Sequence, residues 1–269
     1  MLFWLNYYTN AHYKLHHQNF WNHLSTLIWQ FRMLQFVMLV SIMERCRFMV
    51  ELYAFNVPLQ AELSDFSFLL DSLSEEKRCR IARFVRREDA LRGLFGEWLV
   101  RKVAAEKCGM NPEEFEIGVS KYGKPYFSNF SKMHFNISHA GAWVLAAFAG
   151  EPVGVDVEAV RPIDLNVTSL VFSKQECSTL FALPPEKQLN YFFRLWTLKE
   201  SLVKALGKGF SYDLRDFSFT FDDNHYEVTG PVGRDFSFRH YDIGIGYISA
   251  ACCNDRIFAD QIEIRQLQQ

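Results

Sequence analysis

Val153-Gly154-Val155-Asp156-Val157-Glu158 is where the pattern of this chain begins a second time. Alternation along an extended strand sends Val155 and Val157 to one face and Asp156 and Glu158 to the other. Downstream the spacing predicts short helices near 166–182 and a long helix over 188–206. Strands follow near 216–221, 225–229, 236–242, 246–252 and 257–263. Upstream the same order appears once before. A strand from Val50 ends at Pro58, and Ser74, followed by Glu75 and Glu76, caps a basic helix. An amphipathic helix from Ala90 to Cys108 carries Leu91, Leu94, Phe95, Leu99 and Val103 at helical spacing and stops at Gly109. Strands near 115–119, 133–138 and 143–149 complete the first half. Strand, helices and strands in two rounds predict an α+β fold of two similar lobes, residues 49–151 and 152–269.

Outside this repeat lie residues 1–48. They hold four of the eight histidines and a single acidic residue, Glu44. Their most apolar run, Met33–Met43, is too short to span a bilayer. We expect this stretch to be an extension that is not part of the folded domain, translated from upstream of a start near Met43 or Met49. A membrane-surface or targeting segment is the alternative. For the whole chain of 269 residues the formal net charge is −2, which gives no overall attraction to nucleic acid or anionic membrane. The six cysteines, Cys46, Cys79, Cys108, Cys177, Cys252 and Cys253, form no paired C-x-x-C pattern, which argues against zinc and for free thiols in a reducing cytoplasm.

Four groups of residues carry chemistry. Asp156 and Glu158 share a strand face, and two such close carboxylates call for a cation; a hard divalent ion such as Mg²⁺ is the natural occupant, a solvated acidic edge the plain alternative. Within Trp196-Thr-Leu-Lys199-Glu200-Ser-Leu-Val-Lys204-Ala-Leu-Gly207-Lys-Gly209, helical spacing puts Glu200 and Lys204 one turn apart on one face. That pair reads equally as a surface ion pair or as a third carboxylate with a lysine. Phe135-Asn-Ile-Ser138-His139-Ala-Gly141 ends a strand in a polar turn, where Ser138 and His139 can face a ligand or bond to backbone. Just upstream, Tyr122-Gly-Lys124-Pro-Tyr126 is a turn before a strand. Finally, Lys77, Arg78, Arg80, Arg83, Arg86, Arg87 and Arg92 crowd one short stretch, either a solvated helix face or a place to bind phosphate.

Taken in order, GKPYF, FNISHAG, GVDVE, FSKQE and WTLKESLVKALGKG resemble the successive signature blocks of the 4'-phosphopantetheinyl transferase superfamily, in its longer, surfactin-type monomeric branch. The resemblance runs from about Met49 to the end. It implies two α/β lobes related by pseudo-twofold symmetry, with coenzyme A in the cleft between them. It implies that Asp156 and Glu158 are magnesium ligands, Glu200 a third ligand or the base, and Lys204 a contact to the pyrophosphate. Lys77, His139 and Arg92 match positions that hold the 3'-phosphate, Arg80 stands where a lysine is typical, and Ser138 and Lys124 match nucleotide contacts. Glu176 matches a further acidic position near the site. The chain departs from the pattern at Ala140, where a serine is common, and residues 1–48 have no counterpart.

The activity this implies is transfer of phosphopantetheine from coenzyme A to a serine of an apo acyl or peptidyl carrier protein by a monomeric cytoplasmic enzyme with neither nucleic acid nor membrane as partner. For the carrier, the arginine-rich helix near 78–87 and the apolar residues Val167, Leu170, Phe172, Phe181 and Leu183 are the candidate docking surface. Two other readings compete. A metal-dependent nuclease would use the same acids and lysine but leaves GKPYF and FNISH without a purpose. A non-catalytic coenzyme A or carrier-binding module would have no reason to keep Asp156, Glu158, Glu200 and Lys204 together.

Overall fold

The structure, a computed structural model, describes residues 49–222, 225–231, 235–254 and 257–267. The expectations for residues 1–48 lie outside these. The fold is α+β, as expected. Strand β1 (Val50–Asn56) starts it. A short helix α1 (Ser67–Asp71) that the periodicity did not announce follows, one turn and a half being too brief for a pattern. Helix α2 (Glu75–Ala82) is capped by Ser74, whose hydroxyl accepts from the Lys77 amide. Helix α3 (Arg87–Cys108) ends at Gly109, which takes a left-handed φ of 66° that a side chain would resist. Strands β2 (Ile117–Val119) and β3 (Pro125–Phe127) form a small ribbon, and β4 (His134–Ala140) and β5 (Trp143–Ala149) form a hairpin.

The second round opens with β6 (Val153–Ala159) and continues through α4 (Thr168–Val171) and α5 (Lys174–Ala182) to α6 (Pro185–Leu206). Helix α6 begins three residues before the expected 188, because Pro185 fits the first turn, where its missing N–H costs nothing. Strands β7 (Ser218–Phe221), β8 (Tyr226–Thr229), β9 (Ser237–Tyr241), β10 (Tyr247–Cys253) and β11 (Phe258–Arg265) follow.

β7 and β8 form a second small ribbon, and two larger sheets hold β1, β4–β6 and β9–β11. One has the order β11-β1-β5-β4 and the other β6-β10-β9. The strand latest in the chain, β11, lies parallel to β1, with Ile262 opposite Leu52 and Ile264 opposite Ala54. A boundary at 151/152 therefore separates stretches of chain and not sheets. Strand alternation builds three cores. Tyr53, Phe55, Val144, Ala146 and Phe148 pack against α3, while Ile248, Ala250, Cys252 and Phe238 pack against α6. Val50, Leu52, Ala54, Leu145, Ala147, Val155, Val157 and Ala251 fill the space between the sheets. Because Val155 and Val157 point into that middle core, Asp156 and Glu158 are turned toward α6.

Candidate active site

Gly154 brings β6 and α6 together. A Cβ there would stand 1.9 Å from the Ser201 carbonyl oxygen and 2.5 Å from the Ala205 nitrogen, so only glycine allows this approach. Two residues on, Asp156 meets Lys204, whose Nζ lies 2.6 Å from Oδ1. Two further, Glu158 Oε1 accepts from Trp196 Nε1 at 3.1 Å. The two-residue step of the strand thus matches the turns of the helix, in opposite directions, and the four side chains face one another by construction.

The other wall is β4, which runs beside β6 without a backbone ladder. Side chains make the join instead: Asn136 Oδ1 accepts from the Val155 amide at 2.9 Å and Ser138 Oγ from the Val157 amide at 3.3 Å. Ser138 also donates to Asp156 Oδ1 at 3.0 Å and accepts from Lys204 Nζ at 2.9 Å, which uses all of the bonding its hydroxyl has. The site therefore sits on the seam between the two sheets.

Charge is concentrated there. Burial first, then the neighbouring Asp156 carboxylate, raises the pKa of both Glu158 and Glu200; Lys204 opposes the rise in each, and the Trp196 bond opposes it for Glu158. Asp156 is 4% exposed, and its Oδ2 is buried and accepts no hydrogen bond. His139 is open to solvent at one side, yet desolvation and then the Arg92 and Lys204 cations hold it below the usual imidazole pKa. Arg92 reaches the same corner, donating to the Gly141 carbonyl at 2.7 Å and to Asp89 at 2.8 Å. The arrangement offers an acidic face in which Asp156 is buried with one unsatisfied oxygen and Glu158 and Glu200 are half-buried, a lysine on it, and an imidazole and a guanidinium beside it.

Residues 59–152 match the model of the 4'-phosphopantetheinyl transferase N-terminal family, and residues 152–252 that of the 4'-phosphopantetheinyl transferase superfamily. A Bacillus subtilis 4'-phosphopantetheinyl transferase is 39% identical over 203 residues, 75% of this chain and 91% of the relative. The chain belongs to the 4'-phosphopantetheinyl transferase family. The enzyme is also 36% identical over 192 residues to the transferase Sfp of Bacillus subtilis strain 168, covering 71% of this chain and 86% of Sfp. The transferase gsp of Aneurinibacillus migulanus is 37% identical over 169 residues, 63% of this chain and 70% of that one. All three are named as transferases, and nothing in them favours the nuclease reading.

The transferase brings together Asp156, Glu158, Glu200, Lys204, Ser138, His139 and Arg92. Other expected residues are engaged elsewhere. Lys77 pairs with Glu97 at 3.0 Å, and Glu97 also binds Arg101 at 2.9 Å. Arg80 is exposed on α2. Lys124 donates to two backbone carbonyls, those of Val153 at 2.9 Å and Ala205 at 3.1 Å. Glu176 forms a fully buried pair with Lys199 at 2.8 Å and accepts from the Ser173 and Phe219 amides, so both its oxygens are occupied away from the acidic face. Asn136 and Lys199 contribute without having been singled out by the sequence pattern, whereas Trp196 stands, as helical spacing predicts, one turn before Glu200. A signal existed for Lys199, which stands in phase with Leu195, Leu198 and Leu202 on the core side of α6, where a lysine must find partners. It finds them in Glu176 and in the Leu214 and Phe217 carbonyls at 2.7 and 2.6 Å.

Proposed function

We propose that this enzyme transfers the 4'-phosphopantetheine of coenzyme A to a serine hydroxyl of an apo acyl or peptidyl carrier protein, leaving holo-carrier and 3',5'-ADP. The observation that carries the reading is the acidic face of β6 closed against α6, with Lys204 on Asp156 and a buried carboxylate oxygen left unsatisfied. Among the described residues no three His, Cys, Asp or Glu side chains stand close enough to cage a metal as placed. The donor set nonetheless fits a hard divalent cation such as Mg²⁺, which takes carboxylate oxygens. Asp156 Oδ2 lacks a partner, and Glu158 and Glu200 are pushed toward their neutral forms, a tendency that a cation would reverse. Asp156, Glu158 and Glu200 would hold the ion. When bound, it neutralises charge on pyrophosphate oxygens as the leaving group departs.

The chain's own residues do the rest. Lys204 brings an ammonium to the pyrophosphate. Glu200, beside Lys204 on the same helix face, is the carboxylate placed to accept the proton of the attacking serine. Arg92 and His139 take the 3'-phosphate, with Arg80, exposed on α2, adding positive charge. The stretches 49–151 and 152–269 form the two lobes, except that β11 completes the first sheet, and the β4–β6 seam is the binding cleft. The enzyme acts as a cytoplasmic monomer, with neither nucleic acid nor membrane as partner.

The test is to incubate the enzyme with coenzyme A, Mg²⁺ and apo carrier proteins and to weigh the carrier. A gain of one phosphopantetheine group, abolished by chelation and restored by Mg²⁺, is expected. An unmodified carrier in every case would refute the reading. Dephospho-coenzyme A should bind about tenfold or more weakly, since each charge-assisted contact to the missing phosphate contributes roughly 1.5–3 kcal/mol. Calorimetry on the two ligands measures this, and equal affinities would remove Arg92 and His139 from the phosphate.

A further inference from the structure

Lys124 ties together the two elements that carry the acidic face. Its Nζ donates to the carbonyl of Val153, the first residue of β6, and to the carbonyl of Ala205 in the last turn of α6. Val153 lies three residues before Asp156, and Ala205 follows Lys204. Carbonyls in a final helical turn lack intrahelical partners and carry partial negative charge, so an ammonium there satisfies one of them and complements the helix dipole. The stem is fixed as well. Lys124 Cδ would lie 3.1 Å from a Cβ on Gly207, which ends α6 at a φ of 65°, and the Tyr122 carbonyl oxygen would lie 3.9 Å from one on Gly209. The turn itself is closed by Ser120, whose hydroxyl accepts from the Lys124 amide at 3.1 Å. Burial brings the ammonium down to about 8, as befits a cation enclosed by protein and not one reaching into an open cleft.

We infer that Lys124 is a positioning residue for phosphopantetheine transfer: its side chain clamps the start of β6 to the end of α6 and so sets Asp156 and Glu158 against Glu200 and Lys204, without touching coenzyme A. The inference rests on the proposed transfer reaction. Two of the three N–H donors of the ammonium are spent on these carbonyls, which ties the side chain to β6 and α6 whichever way the third points.

Lys124→Met keeps the stem over Gly207 and removes both hydrogen bonds. Its kcat for carrier loading, per folded enzyme well below the melting temperature, should fall at least tenfold, while the coenzyme A Kd and KM stay within twofold of wild type. Lys124→Arg, which retains donors and charge, should recover part of the kcat, and it stands in if the methionine variant does not fold. A tenfold rise in the coenzyme A Kd would make Lys124 a ligand contact and overturn the clamp. An unchanged kcat in folded protein with a lower Tm would reduce it to a stabilising residue, which overturns it equally. Failure of wild type to load any carrier would refute the proposed function and leave the clamp to a separate readout, Mn²⁺ affinity by paramagnetic resonance. That affinity should weaken at least fivefold in Lys124→Met, and an unchanged value would sink the clamp.

Discussion

The two oxygens of Asp156 live in different surroundings, Oδ1 between an ammonium and a hydroxyl and Oδ2 buried without a bond. That asymmetry makes Asp156→Asn the informative change, because the amide preserves shape and removes the charge. We expect transfer to fall on the order of a hundredfold or more, the usual scale for losing charge stabilisation at a phosphoryl centre, with the circular dichroism spectrum retained. Near-normal turnover would displace Asp156 from the reaction. His240 gives a prediction of another kind. It is held neutral between Tyr226 Oη at 3.1 Å and the Arg194 carbonyl at 3.1 Å, and burial brings its pKa down from 6.5 to about 4. The unfolded chain therefore binds a proton first as pH falls. Stability from this group is complete above pH 6.5 and declines toward pH 4, by roughly 3 kcal/mol at most. Urea unfolding between pH 4.5 and 7.5 should show that slope, and His240→Asn should flatten it. At this scale the spacing put Asp156 and Glu158 on one strand face and Glu200 and Lys204 one turn apart on one helix face, and folding sets those two faces against each other. The resemblance set Lys124 against a nucleotide and Glu176 near the acidic site, whereas the fold gives Lys124 two backbone carbonyls and Glu176 the Lys199 ammonium, because a side chain's partners depend on what folding brings beside it.

Among the elements, β6 and α6 form the pair on which the site depends, and Gly154 sets their spacing. Gly154→Ala would drive a methyl into the backbone of α6, not into a flexible side chain, so the helix must shift. A loss of about 1–3 kcal/mol in urea unfolding is expected from such overpacking, together with a drop in kcat as Asp156 and Lys204 part. Unaltered stability would mean that α6 has room to move. The elements themselves were well legible. The 3.6-residue spacing of Leu91, Leu94, Phe95 and Leu99 and the stop at Gly109 placed α3, and the valine alternation placed β6. Short α1 lacked enough turns to leave a period. The pairing of β4 with β6 was invisible, since Asn136 and Ser138 join them through side chains where a pattern search looks for a ladder.

For the whole molecule, the surface meets the carrier protein. Leu170 is 70% exposed and Phe181 53%, so they are available to a partner, whereas Phe172 is core at 2%. Arg83 and Arg86 are exposed on the approach to α3, beside Val85; Arg87 is instead taken up by Glu62 at 2.5 Å and the Leu59 carbonyl at 3.2 Å. Carrier proteins are generally acidic, and exposed charges steer encounter. Arg83→Ala with Arg86→Ala should raise the KM for the carrier about three- to tenfold at low salt and much less at high salt, where the charges are screened. The KM for coenzyme A should hold. An unchanged carrier KM at low salt would show these arginines to be a solvated face. The parallel pairing of β11 with β1 has a consequence for how the protein is made. The sheet that presents Ser138 and His139 gains its outermost strand only when residues about 200 positions later arrive. On a ribosome, which releases the chain from its N-terminus, β1 must wait with one edge uncovered until Phe258–Arg265 emerge. Nascent chains halted before Phe258 should therefore be more aggregation-prone than chains extended far enough for Phe258–Arg265 to reach β1.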